Sequence, residues 1–228
     1  VAASMNSVAF EYMDAGNFNK ALDSFGVTLQ SSRKLMGKKH VATAEALYNV
    51  GIVFTQLHDD ERALLKLRES LLIYKLNNKG KSLEASEVLK HMGGVYHRCN
   101  ELDRAMESYR ECKKIQKEIL SANSSVLADT LYQMGIVSFE ADDSEKSVKT
   151  FKKVLKISET ISEPTIVRDM STHNWIGLIY RKNNQHQKAL KRYNIVVKIA
   201  EINSIPSDNP SLIEARRNIL DLEPFVGV

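Results

Sequence analysis

Four glycines of this chain stand at a constant step of 42 residues: Gly51, Gly93, Gly135 and Gly177. One step further back falls on Ala9. The same step from Ala105 reaches Ala21, Ala63, Ser147 and Ala189. From Tyr96 it reaches Tyr12, Phe54, Ser138 and Tyr180, and from Tyr109 it reaches Phe25, Leu67, Phe151 and Tyr193. Four columns thus keep their chemical type through five copies with no insertion. A unit of this length buries apolar surface only against its neighbours, so the spacing argues for a linear array and against one large globular core.

The middle copy shows what each unit is. Leu89, Met92, Gly93 and Tyr96 fall at i, i+3, i+4 and i+7, one face of a helix. Ala105 and Tyr109 share a face of a second helix that starts after Asn100. The two form a hairpin, and Gly93 and Ala105 are expected to be small so that the backbones approach. The turn column is Gly16, His58, Asn100, Asp142 and Asn184, rich in residues that tolerate the left-handed conformation just past a helix end. Asn17, Asp59, Asp143 and Asn183 beside it are candidate caps for the second helices.

First helices are expected near 2–15, 41–57, 82–99, 124–141 and 165–183. Second helices are expected near 18–36, 60–77, 102–121, 144–161 and 186–203. The copies run from about 1–42, 43–84, 85–126, 127–168 and 169–210 in a single array. All four prolines, at 164, 206, 210 and 224, are expected outside helix interiors. Pro164 and Pro210 suit the first position of a helix, where no amide hydrogen is needed. A last helix over 211–222, with Leu212, Ala215 and Ile219 on one face, reads as a partial sixth copy capping the open end.

An apolar share of 43% and a charged share of 26% suit a folded chain. The net charge of +4 is too weak to demand nucleic acid. Two cysteines, Cys99 and Cys112, are too few for a secreted disulfide scaffold, so a reducing intracellular, cytoplasmic setting is expected. No apolar run is long enough for a membrane span. Val1-Ala2-Ala3-Ser4 lacks the charged start and apolar core of a signal peptide. The chain enters a helical pattern without an initiator Met and reads as a segment of something longer.

The columns resemble the tetratricopeptide repeat: large-x-x-Leu-Gly-x-x-Tyr, then Ala-x-x-x-Phe. The longer step resembles the kinesin light chain and nephrocystin type. Leu35-Met36-Gly37-Lys38-Lys39-His40-Val41-Ala42 is similar to that subfamily's Leu-Gly-x-x-His-Pro-x-Val-Ala linker, without its proline. Leu47-Tyr48-Asn49-Val50-Gly51 is similar to its Leu-Asn-Asn-Leu-Ala/Gly. The resemblance implies an all-α, right-handed superhelical solenoid of antiparallel helix pairs with a C-terminal capping helix. First helices would line a concave groove and second helices a convex face.

On that geometry, the groove residues flank each first helix's packing stripe. The first copy offers Asn6, Ser7, Phe10, Met13 and Asp14, and the second Tyr48, Asn49, Ile52, Thr55 and Gln56. The third offers Lys90, His91, Gly94, His97 and Arg98, and the fourth Tyr132, Gln133, Ile136, Phe139 and Glu140. The fifth offers Asn174, Trp175, Leu178, Arg181 and Lys182. Amides such as Asn49, Gln133 and Asn174 can bond a peptide backbone. Tyr48, Tyr132, Phe139 and Trp175 can bury apolar anchors, although Trp175 can equally pack against the next copy. Lys90, Arg98, Arg181 and Lys182 favour an acidic or phosphorylated ligand. Alternatively, all of these are ordinary solvated faces. Glu45, Glu87 and Asp129 recur near first-helix starts, where a helix N-terminus favours negative charge.

Other groupings carry no chemistry. His91, His97 and Cys99 stand six and two apart, off a common helix face, and do not form a metal site. Cys112 falls in a column with Thr28, Ser70, Val154 and Val196 and reads as a small core residue. His173 falls in a column with Met5, Leu47, Leu89 and Leu131 and reads as packing. No nucleophile elbow, phosphate loop or zinc-protease pattern occurs, so no enzyme, cofactor or small-molecule substrate is expected. Lys146, Lys149, Lys152, Lys153 and Lys156 crowd one second helix, and Lys188, Lys191, Arg192 and Lys198 another. Aromatics for base stacking are not interleaved there, so a solvated face is expected rather than nucleic acid or acidic membrane. The function expected is a non-catalytic adaptor that binds a linear peptide or helix of another protein. Two alternatives stand beside it: a structural subunit using its convex face and edges, and a peptide-sensing module of a longer protein.

Overall fold

The ends of the helix pairs are set by backbone conformation. In the computed structural model, which describes residues 2–121, 124–161 and 165–226, the whole turn column has positive φ. Gly16 stands at 71°, His58 at 57°, Asn100 at 59°, Asp142 at 61° and Asn184 at 56°. Each reverses the chain after a first helix. The first helices are α1 (Ala2–Asp14), α3 (Val41–Gln56), α5 (Leu83–Arg98), α7 (Ser125–Glu140) and α9 (Ile166–Lys182). The second helices are α2 (Phe18–Leu35), α4 (Asp60–Leu76), α6 (Leu102–Ile119), α8 (Ser144–Ser158) and α10 (His186–Ile202). A last helix, α11, spans Pro210–Val226. Among the described residues there is no strand, and the fold class is an all-α repeat solenoid.

Two of the four expected side-chain caps form. Asp59 and Asp143 accept the backbone N–H of Arg62 and Lys146, each at 3.0 Å. Asn17 precedes α2 without a side-chain cap bond. Asn183 closes α9 instead of opening α10, because it precedes the left-handed residue Asn184 and not the helix. Pro210 is the first residue of α11, as expected, and Asn209 caps it through Ser211 N–H at 3.0 Å. Pro224, expected beyond the helix, lies inside the last turn of α11. Its missing amide hydrogen strands only the carbonyl of Leu220, a largely exposed residue that water can serve. Pro164 lies outside the described residues.

The chain divides into two compact units, Val1–Ile119 and Leu120–Val228. In the first, α1 pairs with α2, α3 with α4 and α5 with α6, while α2 packs on α3 and α4 on α5. In the second, α7 pairs with α8 and α9 with α10, α8 packs on α9, and α11 closes against both α9 and α10. The first helices α3 and α5 touch each other, as do α7 and α9.

The glycine column serves an aromatic ring, not a close approach of two backbones. A Cβ on Gly93 would sit 2.7 Å from Tyr109 Cε1; on Gly135, 2.6 Å from Phe151 Cε1; on Gly177, 2.6 Å from Tyr193 Cε1. The glycine and the aromatic sixteen residues later are therefore one device: the bare backbone accepts the ring face, and the rings of Tyr109, Phe151 and Tyr193 are all but fully buried. Gly51 faces Leu67 instead, at a looser 3.0 Å. Ser147, the one hydroxyl in the alanine column, is buried and donates to the Gly135 carbonyl at 2.7 Å. Cys112 is fully buried, and His173 is 8% exposed, both as packing residues.

Candidate functional site

Of the surfaces the sequence singles out, the first-helix face holds the half-buried aromatic side chains. In the first unit, Phe10 on α1 is 48% exposed and sets its edge on Phe25 of α2 at 5.1 Å. Tyr48 of α3 meets His91 of α5 edge to face at 5.5 Å. Burial, with Lys90 nearby, lowers the His91 pKa to about 4. Burial beside Glu87 pushes the Tyr48 phenol up to about 12. Both rings are therefore neutral across the physiological range. Asn6, Ile52 and His97 are half-buried, and Gln56 is exposed.

The basic residues of this face are largely committed to carboxylates of the same chain. Arg98 at the end of α5 binds Asp60 at the start of α4, with Nε 3.0 Å from Oδ1. That bond holds the Asp60 carboxyl below its usual range. Lys182 at the end of α9 reaches Asp142 at 2.7 Å, with the same effect on that carboxyl. Lys90 pairs with Glu87 at 2.5 Å, and Arg181 with Asn218 at 2.5 Å and Asp221 at 3.2 Å. Glu45, Glu87 and Asp129 are each the fifth residue of their helices, just past the first turn in which the helix N-terminus favours negative charge. Asp129 instead holds Arg168 of α9 at 2.6 Å.

The amides divide. Asn49 and Asn174, expected on the groove surface, are 6% and 2% exposed. Asn174 is turned toward the capping helix: its Nδ2 donates to the Ser211 carbonyl at 2.8 Å and to Glu214 Oε2 at 3.2 Å. Its Oδ1 is buried with no hydrogen-bond partner. Gln133 and Ile136 are half-buried on α7.

Trp175 is the centre of an aromatic group in the second unit. Its ring stacks on Phe151 at 6.2 Å with 14° between planes and meets Phe139 edge-on at 5.5 Å. Its Nε1 donates to the Tyr132 hydroxyl at 3.1 Å. Burial raises the Tyr132 phenol, and the bond from Trp175 opposes that shift. Tyr132, Trp175, Leu178, Ser171, Asn174 and Glu214 enclose a cleft of about 170 Å³. Glu214 was not foreseen as part of this site. It stands one 42-residue step beyond Thr172, so the sixth, partial copy supplies it from a first-helix position. The lining residues of this cleft include no arginine or lysine; they offer the apolar surfaces of Trp175 and Leu178, the hydroxyls of Tyr132 and Ser171, the Asn174 amide and one carboxylate.

Among the described residues, no group of three or more histidine, cysteine or carboxylate side chains could hold a metal ion. Among them, too, no helix is long and apolar enough to cross a membrane.

Two family models, each described as tetratricopeptide repeat, match residues 1–75 and 87–119. Solved structures of the same fold include BtubC (BKLC) from P. vanneervenii, at 15% identity and TM-score 0.82, over 90% of this chain and 82% of that one. A putative kinesin light chain of nearly identical TPR-like repeats from Podosopora anserina is 13% identical at TM-score 0.77, over 90% and 97%. The signal transduction ATPase PH0952 from Pyrococcus horikoshii, which has a tetratricopeptide repeat sensor, is 16% identical at TM-score 0.81. That match takes in 99% of this chain but 33% of the ATPase. No curated protein sequence matches the chain.

Proposed function

The chain is a tetratricopeptide repeat array, a fold of protein-interaction modules, and from that premise we propose that its first-helix face binds a linear segment of a partner protein without catalysing a reaction on it. The observation that carries this reading is the cleft at Trp175. A buried amide oxygen without a partner is costly, by roughly 1–3 kcal/mol. Asn174 Oδ1 is such an atom, and Asn174 lines a mixed polar and apolar cleft of about 170 Å³. A peptide N–H would satisfy it once the Asn174 side chain turns that oxygen toward the cleft, while an apolar side chain covers Trp175 and Leu178. Glu214 on the same cleft disfavours a carboxylate at this point. With Lys90, Arg98, Arg181 and Lys182 already paired, an acidic ligand gains little from this face.

Trp175 is the sole tryptophan, so its emission reports directly on the cleft. Peptides selected from a random display library on the purified chain should shift that emission as they bind. Leu178→Glu places a charge in the apolar wall and should weaken those peptides by about tenfold or more, the size of an ordinary hot spot. The reading fails if the peptides bind the variant as tightly as the parent and leave Trp175 emission unchanged.

A further inference from the structure

The second-helix side of the second unit carries a feature that the first unit lacks. Helix α8 holds five lysines, Lys146, Lys149, Lys152, Lys153 and Lys156, against one glutamate, Glu145. Helix α10 holds Lys188, Lys191, Arg192 and Lys198 against Glu201. By contrast α4 balances four cations with three carboxylates, and α6 five with four. Helix α2 has three cations against Asp23, so among the second helices the excess is largest on α8 and α10.

Two depressions lie along this side and meet at Tyr180. One, of about 530 Å³, is bordered by Lys149, Lys152, Val148, Ser144, Glu145 and the amides of Asn183 and Gln185. The other, of about 300 Å³, is bordered by Lys188, Lys191, Arg192 and Ile195. Both volumes are of the size that accommodates side chains of a ligand.

The repeat supplies an internal control. Two steps back, Tyr180 becomes Tyr96, and the cleft there is bordered by Arg104, Glu107, Ser108 and Glu111. The Tyr96 hydroxyl accepts from Arg68 at 2.7 Å; Arg104 lies over its ring at 5.9 Å, as the equivalent Lys188 lies over the Tyr180 ring at 5.7 Å. The cation of that lining, Arg104, is neutralised by Glu101 at 2.5 Å, and its Glu111 is paired with the neighbouring Lys75 at 3.1 Å. At the equivalent positions around Tyr180, Glu107 is replaced by Lys191, Ser108 by Arg192 and Glu111 by Ile195. Among the described residues no carboxylate pairs with Lys149, Lys152, Lys188 or Lys191. The same fold position has thus changed from a self-neutralised cleft to one whose lysines and arginine outnumber its single carboxylate, Glu145.

We propose that the α8–α10 cleft around Tyr180 is a second docking surface, separate from the first-helix face, and that its occupant is an acidic segment of a partner protein with an apolar residue between its carboxylates. Charge complementarity calls for the acid. The apolar residue follows from Tyr180, Val148 and Ile195, which form a half-buried floor between the lysine rows. A nucleic acid would be served by a row of stacking aromatics, and only one aromatic borders each depression. A membrane surface favours a flat basic face with protruding apolar side chains, whereas the apolar residues here lie recessed.

The test uses the whole chain and a fluorescein-labelled glutamate-rich peptide with one central phenylalanine, read by anisotropy. Binding should fall by roughly tenfold or more in Lys149→Glu/Lys152→Glu/Lys191→Glu, should persist in the matching arginine variant, and should weaken with salt. Replacing the phenylalanine by glycine should weaken it several-fold, and replacing the glutamates by glutamine should abolish it. The three lysines are exposed, so the variants should keep the helical circular dichroism of the parent. Leu178→Glu should leave this binding unchanged, which separates this surface from the cleft at Trp175. The proposal is overturned if the peptide does not bind the parent chain, or if charge reversal leaves its affinity intact. It is equally overturned if a single-stranded oligonucleotide or a phosphatidylserine vesicle binds as tightly and is lost to the same degree, since the face would then be a general polyanion surface.

Discussion

Replacing Gly135 by alanine tests the pairing of glycine with an aromatic ring. The new methyl would lie 2.6 Å from Phe151 Cε1, and an ordinary contact begins at 3.4 Å. The ring must therefore withdraw by about 0.8 Å. It has little room to do so: Phe151 is fully buried, with Tyr132 edge-on at 5.7 Å and Trp175 stacked at 6.2 Å. Overpacking of this kind costs about 1–3 kcal/mol. Alanine recovers about 1 kcal/mol of helix propensity over glycine. The net expectation is a loss of up to about 2 kcal/mol, toward the upper end because the ring has so little room. Gly51→Ala is the matched control, because its methyl meets the far end of the flexible Leu67 side chain at 3.0 Å. There the two effects should cancel to within about 0.5 kcal/mol. Ala9 already fills the glycine column in the first copy, so an alanine is not excluded by the fold itself; what matters is whether the facing ring can move. Urea unfolding followed by Trp175 emission and by circular dichroism gives both numbers, and the emission should shift because Phe151 carries the indole. Adding Phe151→Leu to Gly135→Ala recreates the Gly51–Leu67 geometry, and the pair should couple favourably by about 1 kcal/mol. Equal losses at Gly51 and Gly135, or strict additivity of the double variant, would refute the reasoning.

Three further outcomes follow from the same geometry. His173 is buried with its pKa lowered to about 4 from 6.5, first by burial and then by Arg192, with Asp169 opposing. Its unfolded form takes up a proton that the folded form refuses, so stability present above pH 6.5 is lost as pH falls toward 4. The loss reaches about 2 kcal/mol at pH 5, and His173→Leu, which restores the column's usual residue, should flatten the pH dependence of the urea midpoint over that window. His58 holds φ at 57°, so His58→Gly should stabilise the chain by up to about 1 kcal/mol in thermal unfolding, whereas His58→Val should cost more than that. The Arg98–Asp60 pair is partly exposed, so a double-mutant cycle with alanine should give a coupling below about 1 kcal/mol that fades in high salt.

The helix pairs were legible because each depends on a single local event repeated at a fixed step. Gly16, His58, Asn100, Asp142 and Asn184 share a left-handed backbone, and the sequence marks all five with residues that bear it. Column identity also placed Cys112 and His173 in the core. The reason for the glycine column was not legible, since spacing alone does not separate a small residue facing a backbone from one facing a ring. The ring in question stands sixteen residues away on the other helix, and its column was visible. Only the pairing of the two columns needed coordinates.

The interaction face was less legible for a different reason. A column says which way a side chain points and says nothing of what already answers it. Arg98 and Lys182 sit on the expected face, yet each is bound by a carboxylate from the preceding copy, Asp60 or Asp142. Asn174 is on the expected helix face, yet its amide nitrogen ties down α11 and only its oxygen is left over. A charge in a repeat protein informs about a ligand only after the acids and bases one copy away have been subtracted. That subtraction empties the first-helix face of most of its positive charge. On α8 and α10 it leaves Lys149, Lys152 and Lys191 standing, and Glu101, Glu107 and Glu111 of the third copy have become Gln185, Lys191 and Ile195 in the fifth. The face that looked like ordinary solvated surface in the sequence is thus the one where the chain's own chemistry is least complete.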